Sequence, residues 1–146
     1  MGGHGALISF FKCPAQYRSV SALSPVCHPS QTPSVIEIYE KLFGSGSSID
    51  YEEHWKNNDA CCLVNQYDGP GPHQPILIDH GADDSLKGDY RSIEKFLDAC
   101  ANASFPVQYR EHHGYDDSHF FLITFLEDHF NYHRHEFDTI DDSAIE

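Results

Sequence analysis

Residues able to do acid–base chemistry gather in three places. Asp83 and Asp84 follow the apolar run Pro75-Ile76-Leu77-Ile78-Asp79-His80-Gly81. The segment from His112 to His119 is His-His-Gly-Tyr-Asp-Asp-Ser-His, and the chain opens on Met1-Gly2-Gly3-His4-Gly5. A carboxylate from the first place and an imidazole from the second are two parts of a hydrolytic relay. The acid orients the imidazole, and the imidazole takes the proton of a serine. In hydrolases built on a parallel sheet the chain order is serine, acid, histidine, with the serine on a strained Gly-x-Ser-x-Gly turn. Met1-Gly2 would be the last two residues of that turn, which puts the expected serine just before Met1. No Gly-x-x-x-x-Gly-Lys or Gly-x-Gly-x-x-Gly pattern competes for the glycines as a phosphate loop. Each segment also has a plainer reading. Glycines can be a frayed terminus, paired aspartates a solvated turn or helix cap, and some of the 11 histidines simple polar loop residues.

Other chemistry finds less support. Five cysteines stand at 13, 27, 61, 62 and 100, an odd number without a Cys-x-x-Cys spacing. That argues against a disulfide framework or a cysteine-based zinc site and for reduced thiols in the cytoplasm. His129 and His133 are four apart and would share a helix face, where they could clip a metal; an exposed polar face is the plainer reading. No cofactor and no resident metal is expected.

Composition narrows the class. The 146 residues carry 9 Lys plus Arg against 23 Asp plus Glu, a net charge of -14. Such a chain is repelled by nucleic acid and by anionic membrane surfaces. No apolar run approaches the roughly 18–20 residues of a membrane span. With 40% hydrophobic and 13% aromatic residues the chain is rich enough to fold around a core.

These segments need elements to hold them. Gly2 to Phe11 predicts a buried helix ended by Pro14, and Ser19 to Val26 a short strand stopped near Pro25. Val35 to Phe43 and Glu52 to Val64 predict two further helices, followed by a turn at Asp68 to Pro72. Pro75 to Gly81 has the pattern of a buried parallel strand, Tyr90 to Ala103 of an amphipathic helix, and Pro106 to Glu111 of a strand. Phe120 to His135 is the last helix, capped by Asp117 or Ser118, and Asp138 to Glu146 a frayed acidic tail. Strands alternating with helices imply an α/β fold with a parallel sheet. Three strands are few for such a sheet.

Four segments in register carry a family resemblance. They are Met1-Gly2-Gly3-His4-Gly5-Ala6-Leu7-Ile8 with Tyr17 to Ala22, Pro25-Val26-Cys27-His28-Pro29, Ile76 to Asp84, and Gly114 to Phe121. Together they resemble the S-formylglutathione hydrolase (esterase D) family up to about His135. The resemblance implies a partial α/β-hydrolase fold: about three late parallel strands with flanking helices, without the N-terminal strands and the elbow strand. Residues 1–137 would be the C-terminal half of the domain and 138–146 the tail. It implies a cytoplasmic serine thioesterase and carboxylesterase that converts S-formylglutathione to glutathione and formate in formaldehyde detoxification, and that also takes simple esters. The substrate is a small molecule.

The family pattern makes Asp84 the triad acid and gives Met1 the oxyanion-hole amide. It places the nucleophile before Met1, where it is absent from this sequence. The family has Gly-Tyr-Asp-His-Ser where this chain has Gly114-Tyr115-Asp116-Asp117-Ser118, so Asp117 stands at the histidine position. His119 is the candidate substitute base, yet it lies two residues on, roughly 200° around a helix. His113 lies four residues before. Either reaches the site only if the loop rearranges. The expectation is therefore a catalytically impaired chain. Its alternative is a non-catalytic remnant or interaction module, whose unpaired strand edge invites a homo-oligomer.

Overall fold

The computed structural model describes residues 1–44, 49–69, 74–86 and 90–143. Three parallel strands form one sheet in the order β1 (Ser21–Leu23), β2 (Ile76–Gly81), β3 (Val107–His112). Every residue of β2 is buried, as a central strand covered on both faces requires. The expected 19–26 strand is much shorter. Ser24 adopts φ 43, which turns the chain away, and Pro25 has no N–H to continue a ladder.

Helix α1 (Gly2–Lys12) buries Leu7, Ile8, Phe10 and Phe11. Its glycines have a packing role at one point. A Cβ on Gly3 would stand 3.0 Å from the Leu23 carbonyl oxygen and 3.1 Å from Pro25 Cβ, so only glycine lets α1 lie this close to the end of β1. Leu7, Phe11, Ile76, Ile78, Phe96 and Cys100 join in the main core. Helix α2 (Pro33–Phe43) starts on a proline, where a missing N–H costs nothing.

The single helix expected over 52–64 is two, α3 (Ile49–Lys56) and α4 (Ala60–Asn65). Asp59 breaks it: its backbone is extended and its carboxylate accepts the Cys62 N–H as an N-cap. The turn cluster at 68–72 falls partly outside the described residues. Helix α5 (Ile93–Asn102) starts later than expected, because Ser92 takes a left-handed conformation. Arg91 is thereby left in the turn that precedes the helix.

Helix α6 (His119–Ser143) runs past His135 into the stretch expected to fray. No glycine or proline interrupts it, and buried Glu136 meets Arg18 at 3.7 Å. It lies against the sheet through fully buried Phe121 and through His129. Its other side leaves Ile123, Phe130 and Phe137 exposed at 74%, 65% and 68%. No helix among the described residues is long and apolar enough to cross a membrane.

A candidate hydrolase site organised by Arg91

Ligands of open parallel sheets bind beyond the carboxyl ends of the strands. Here two loops meet at that end. The Ala82 N–H donates to His112 O at 2.9 Å, and the Asp83 N–H to Tyr115 O at 2.9 Å. Gly81 makes the meeting possible, because a Cβ there would lie 2.3 Å from Asp116 O and 2.5 Å from Tyr115 O. The loop after β2 and the loop after β3 are therefore stitched together, and Asp84 and Asp117 belong to one cluster.

What joins the two aspartates is a guanidinium. Arg91 Nε donates to Asp84 Oδ2 at 2.7 Å, and another of its nitrogens donates to Asp117 Oδ2 at 2.5 Å. Its third nitrogen donates to the Ser24 carbonyl at 2.8 Å. Asp84 is buried, and accepts two more bonds, from the Leu86 N–H at 2.8 Å and from His80 Nε2 at 3.3 Å. Burial pushes its carboxyl up, but the Leu86 N–H and the Arg91 guanidinium outweigh that and hold it below the usual range. Burial also keeps the His80 imidazole below its ordinary pKa, against the pull of Asp84.

The sequence-predicted residues are placed unevenly. Met1 is exposed at the N-cap of α1 and lines, with Arg91 and Asp117, a cleft of about 530 Å³. Asp84 lies behind Arg91 and does not line it. His119 is exposed at the first position of α6 and His113 is exposed in the loop; neither lines the cleft. Of the two expected caps, Ser118 directly precedes α6 and its N–H donates to Asp116 at 2.9 Å, while Asp117 is committed to Arg91. Arg91 was not among the residues singled out. The available signal was one of only 9 basic side chains lying between Asp84 and a helix start.

A second polar network crosses the middle of the sheet, and it corrects the reading of His129 and His133 as an exposed face. His129 is buried, with Nε2 3.2 Å from Asp79 Oδ2 and Nδ1 2.7 Å from Ser21 Oγ. His133 Nε2 lies 2.8 Å from the same Ser21 oxygen, and its Nδ1 2.8 Å from Ser19 Oγ. A proton on Nε2 of each ring satisfies the whole chain of bonds, with both serine hydroxyls donating to Nδ1. Serine, histidine and aspartate are thus in line, but this is a staple. Ser21 is held from two sides, and Asp79 is already neutralised by a two-pronged Arg110. Burial raises the Asp79 carboxyl, yet the bonds from His129 and Arg110 bring it down to about 2. A triad acid must keep its charge free for the imidazolium.

The Esterase family model matches residues 1–140. The chain belongs to the Esterase family. It is 41% identical to the S-formylglutathione hydrolase of Rattus norvegicus over 134 residues, which are 91% of this chain and 45% of that protein. The Mus musculus S-formylglutathione hydrolase is 42% identical with the same coverage. A solved S-formylglutathione hydrolase from Agrobacterium tumefaciens superimposes with a TM-score of 0.77 at 32% identity, covering 90% of this chain and 45% of that one. The architecture is a partial α/β-hydrolase fold, and the chain spans about half the length of the esterase relatives it matches.

Proposed function

We propose that this chain is the C-terminal half of an S-formylglutathione hydrolase fold whose relay has been replaced by an ion cluster, so that it hydrolyses thioesters negligibly. One observation carries the reading: Arg91 bridges Asp84 and Asp117. In a working relay the group between the acid and the cleft must take up and release a proton. A guanidinium stays protonated at every physiological pH. Asp117 offers a carboxylate, but that carboxylate is already paired, and exposed His119 does not line the cleft. With a base present, a serine would attack the formyl carbonyl, the glutathione thiolate would leave, and water would release formate. Among the described residues that line the cleft, Asp117 is paired with Arg91, and His129 and His133 are engaged by Asp79, Ser21 and Ser19. The cytoplasm and formaldehyde detoxification are the setting this family reading implies.

The test is hydrolysis of S-formylglutathione and of p-nitrophenyl acetate by the purified chain. Loss of the serine or the histidine of a triad lowers turnover on the order of a million-fold in a serine protease. The expected rate is therefore that of buffer alone. Turnover abolished by Asp84→Asn would overturn the reading.

A second reading, an interaction module, is favoured by the outer face of α6. Ile123, Phe130 and Phe137 are exposed at a seven-residue spacing, and among the described residues β1 pairs on one side only. Light scattering distinguishes the two: self-association lost on Phe130→Glu supports the module, and a monomer at all concentrations removes it.

A further inference from the structure

A third cluster lies away from both Arg networks, where the turn after β1 meets the start of α4. Asp59 is fully buried there. It accepts the Ser30 N–H at 3.1 Å, the Ser30 hydroxyl at 2.6 Å and the Cys62 N–H at 3.1 Å. His28 Nδ1 sits 2.8 and 2.9 Å from its two oxygens. Cys61, the second residue of the α4 helix, is buried beside them. One ligand atom each from His28, Asp59 and Cys61 lie within 4.8 Å of one another. A cleft of about 340 Å³ reaches this point from solvent, lined by His28, Cys61, Cys62 and Asn65 among others.

We propose that His28, Asp59 and Cys61 bind one divalent cation of the zinc class, with a fourth position open to this cleft. The donor set is the argument. One imidazole nitrogen, one carboxylate oxygen and one sulfur suit a borderline cation and disfavour calcium or magnesium, which take oxygen ligands. The geometry is nearly sized for it. Bonds of about 2.0–2.1 Å in a tetrahedron place nitrogen and oxygen about 3.3 Å apart. The His28–Asp59 distance of 2.8 Å opens by half an ångström to reach that. The sulfur, within 4.8 Å, closes by about 1 Å, a rotation of one side chain. The Ser30 and Cys62 donors stay on the carboxylate and fix its orientation, as outer-sphere partners do in metal sites. Binding replaces the His28–Asp59 hydrogen bond by two metal bonds. The Nδ1 proton of that bond is exchanged through solvent to Nε2, and the Cys61 thiol releases its proton to solvent. Burial and the neighbouring Asp59 charge push that thiol up in the free chain, so it is inert until a cation arrives.

The cluster is independent of the Arg91 site, so the two readings stand or fall separately. The test is a titration of the purified chain, thiols reduced, with cobalt(II) alone, followed by zinc(II) competition. The expected result is a thiolate-to-cobalt charge-transfer band that saturates at one ion per chain and is displaced by zinc. His28→Ala and Cys61→Ser each remove a direct ligand and are expected to weaken binding by more than the roughly 10–100-fold of losing an outer-sphere partner, with helix content unchanged by circular dichroism. His28 is only partly buried, so its variant decides the matter if Cys61→Ser fails to fold. No charge-transfer band, a band that survives His28→Ala, or a band abolished by Cys13→Ser at the exposed thiol would each overturn the proposal.

Discussion

Asp79, inside β2, and Asp84, three residues past its end, are two buried carboxylates, each gripped by an arginine, and they serve different ends. Asp79 belongs to a closed network. Arg110 takes both of its oxygens, and His129 carries the chain on through Ser21 to His133, so β1, β2, β3 and α6 are tied together. The Asp84 cluster is open. Its arginine reaches out to Asp117, whose side chain is 42% exposed at the edge of a cleft. The same chemistry is a staple in one place and a substitution in the other. On the proposed reading, the place of a mobile proton is held by a guanidinium, a charge that never titrates.

The largest expected effect breaks the open cluster. Arg91→Leu leaves Asp84 buried without its main counter-charge and costs about 3–5 kcal/mol in urea unfolding. Arg110→Leu is expected to cost less, about 1–3 kcal/mol, because Arg110 is 29% exposed and His129 still bonds Asp79. Equal losses would erase the distinction between the two clusters. Gly81→Ala should cost about 1–3 kcal/mol by forcing the 115–116 backbone off the end of β2. Thermal melts will show a shift in the melting temperature, with an unchanged temperature counting against the stitched loops.

Acid tests both clusters together, in two steps with the same sign. Burial lowers the His80 pKa in the fold, so as pH falls below about 6.5 the unfolded chain binds the proton more readily and stability declines. The depressed carboxyls of Asp79 and Asp84 contribute fully above about pH 4. The Asp79 share is lost as pH falls towards about 2. Melting temperature against pH should therefore fall from pH 7 downward, most steeply below 4. The smallest effect belongs to the exposed Arg134–Asp138 pair, where Arg134→Ala should change stability by about 0.5 kcal/mol or less.

Much of the fold was legible in residue order. The all-apolar stretch before Asp79 marked the central strand, and the glycines around 2–5 marked the close approach of α1. Asp84 and Asp117 were singled out by the family resemblance, and the structure places them in one cluster. The partner that joins them was not legible, because Arg91 reaches Asp117 across 26 positions and no local pattern announces a long-range ion pair. The break at Asp59 was hidden for a related reason. An aspartate in a helical pattern looks like a solvated residue until its partners, His28 and Ser30, are seen to hold it in the interior. His129 could have been read better. It shares a helix face with Phe121, Phe125 and Tyr132, which marks it as turned towards the sheet rather than towards solvent.

The central claim is that Arg91 occupies the place of the imidazole against Asp84. Nitrogen-15 NMR of the arginine side chains measures this directly, through the exchange of each Nε–H with water. The account predicts a slowly exchanging Arg91 Nε–H, hydrogen-bonded to Asp84 and far better protected than that of exposed Arg134. An Arg91 signal exchanging as fast as Arg134, with an imidazole N–H of the 112–119 loop bonded to Asp84 instead, would contradict it.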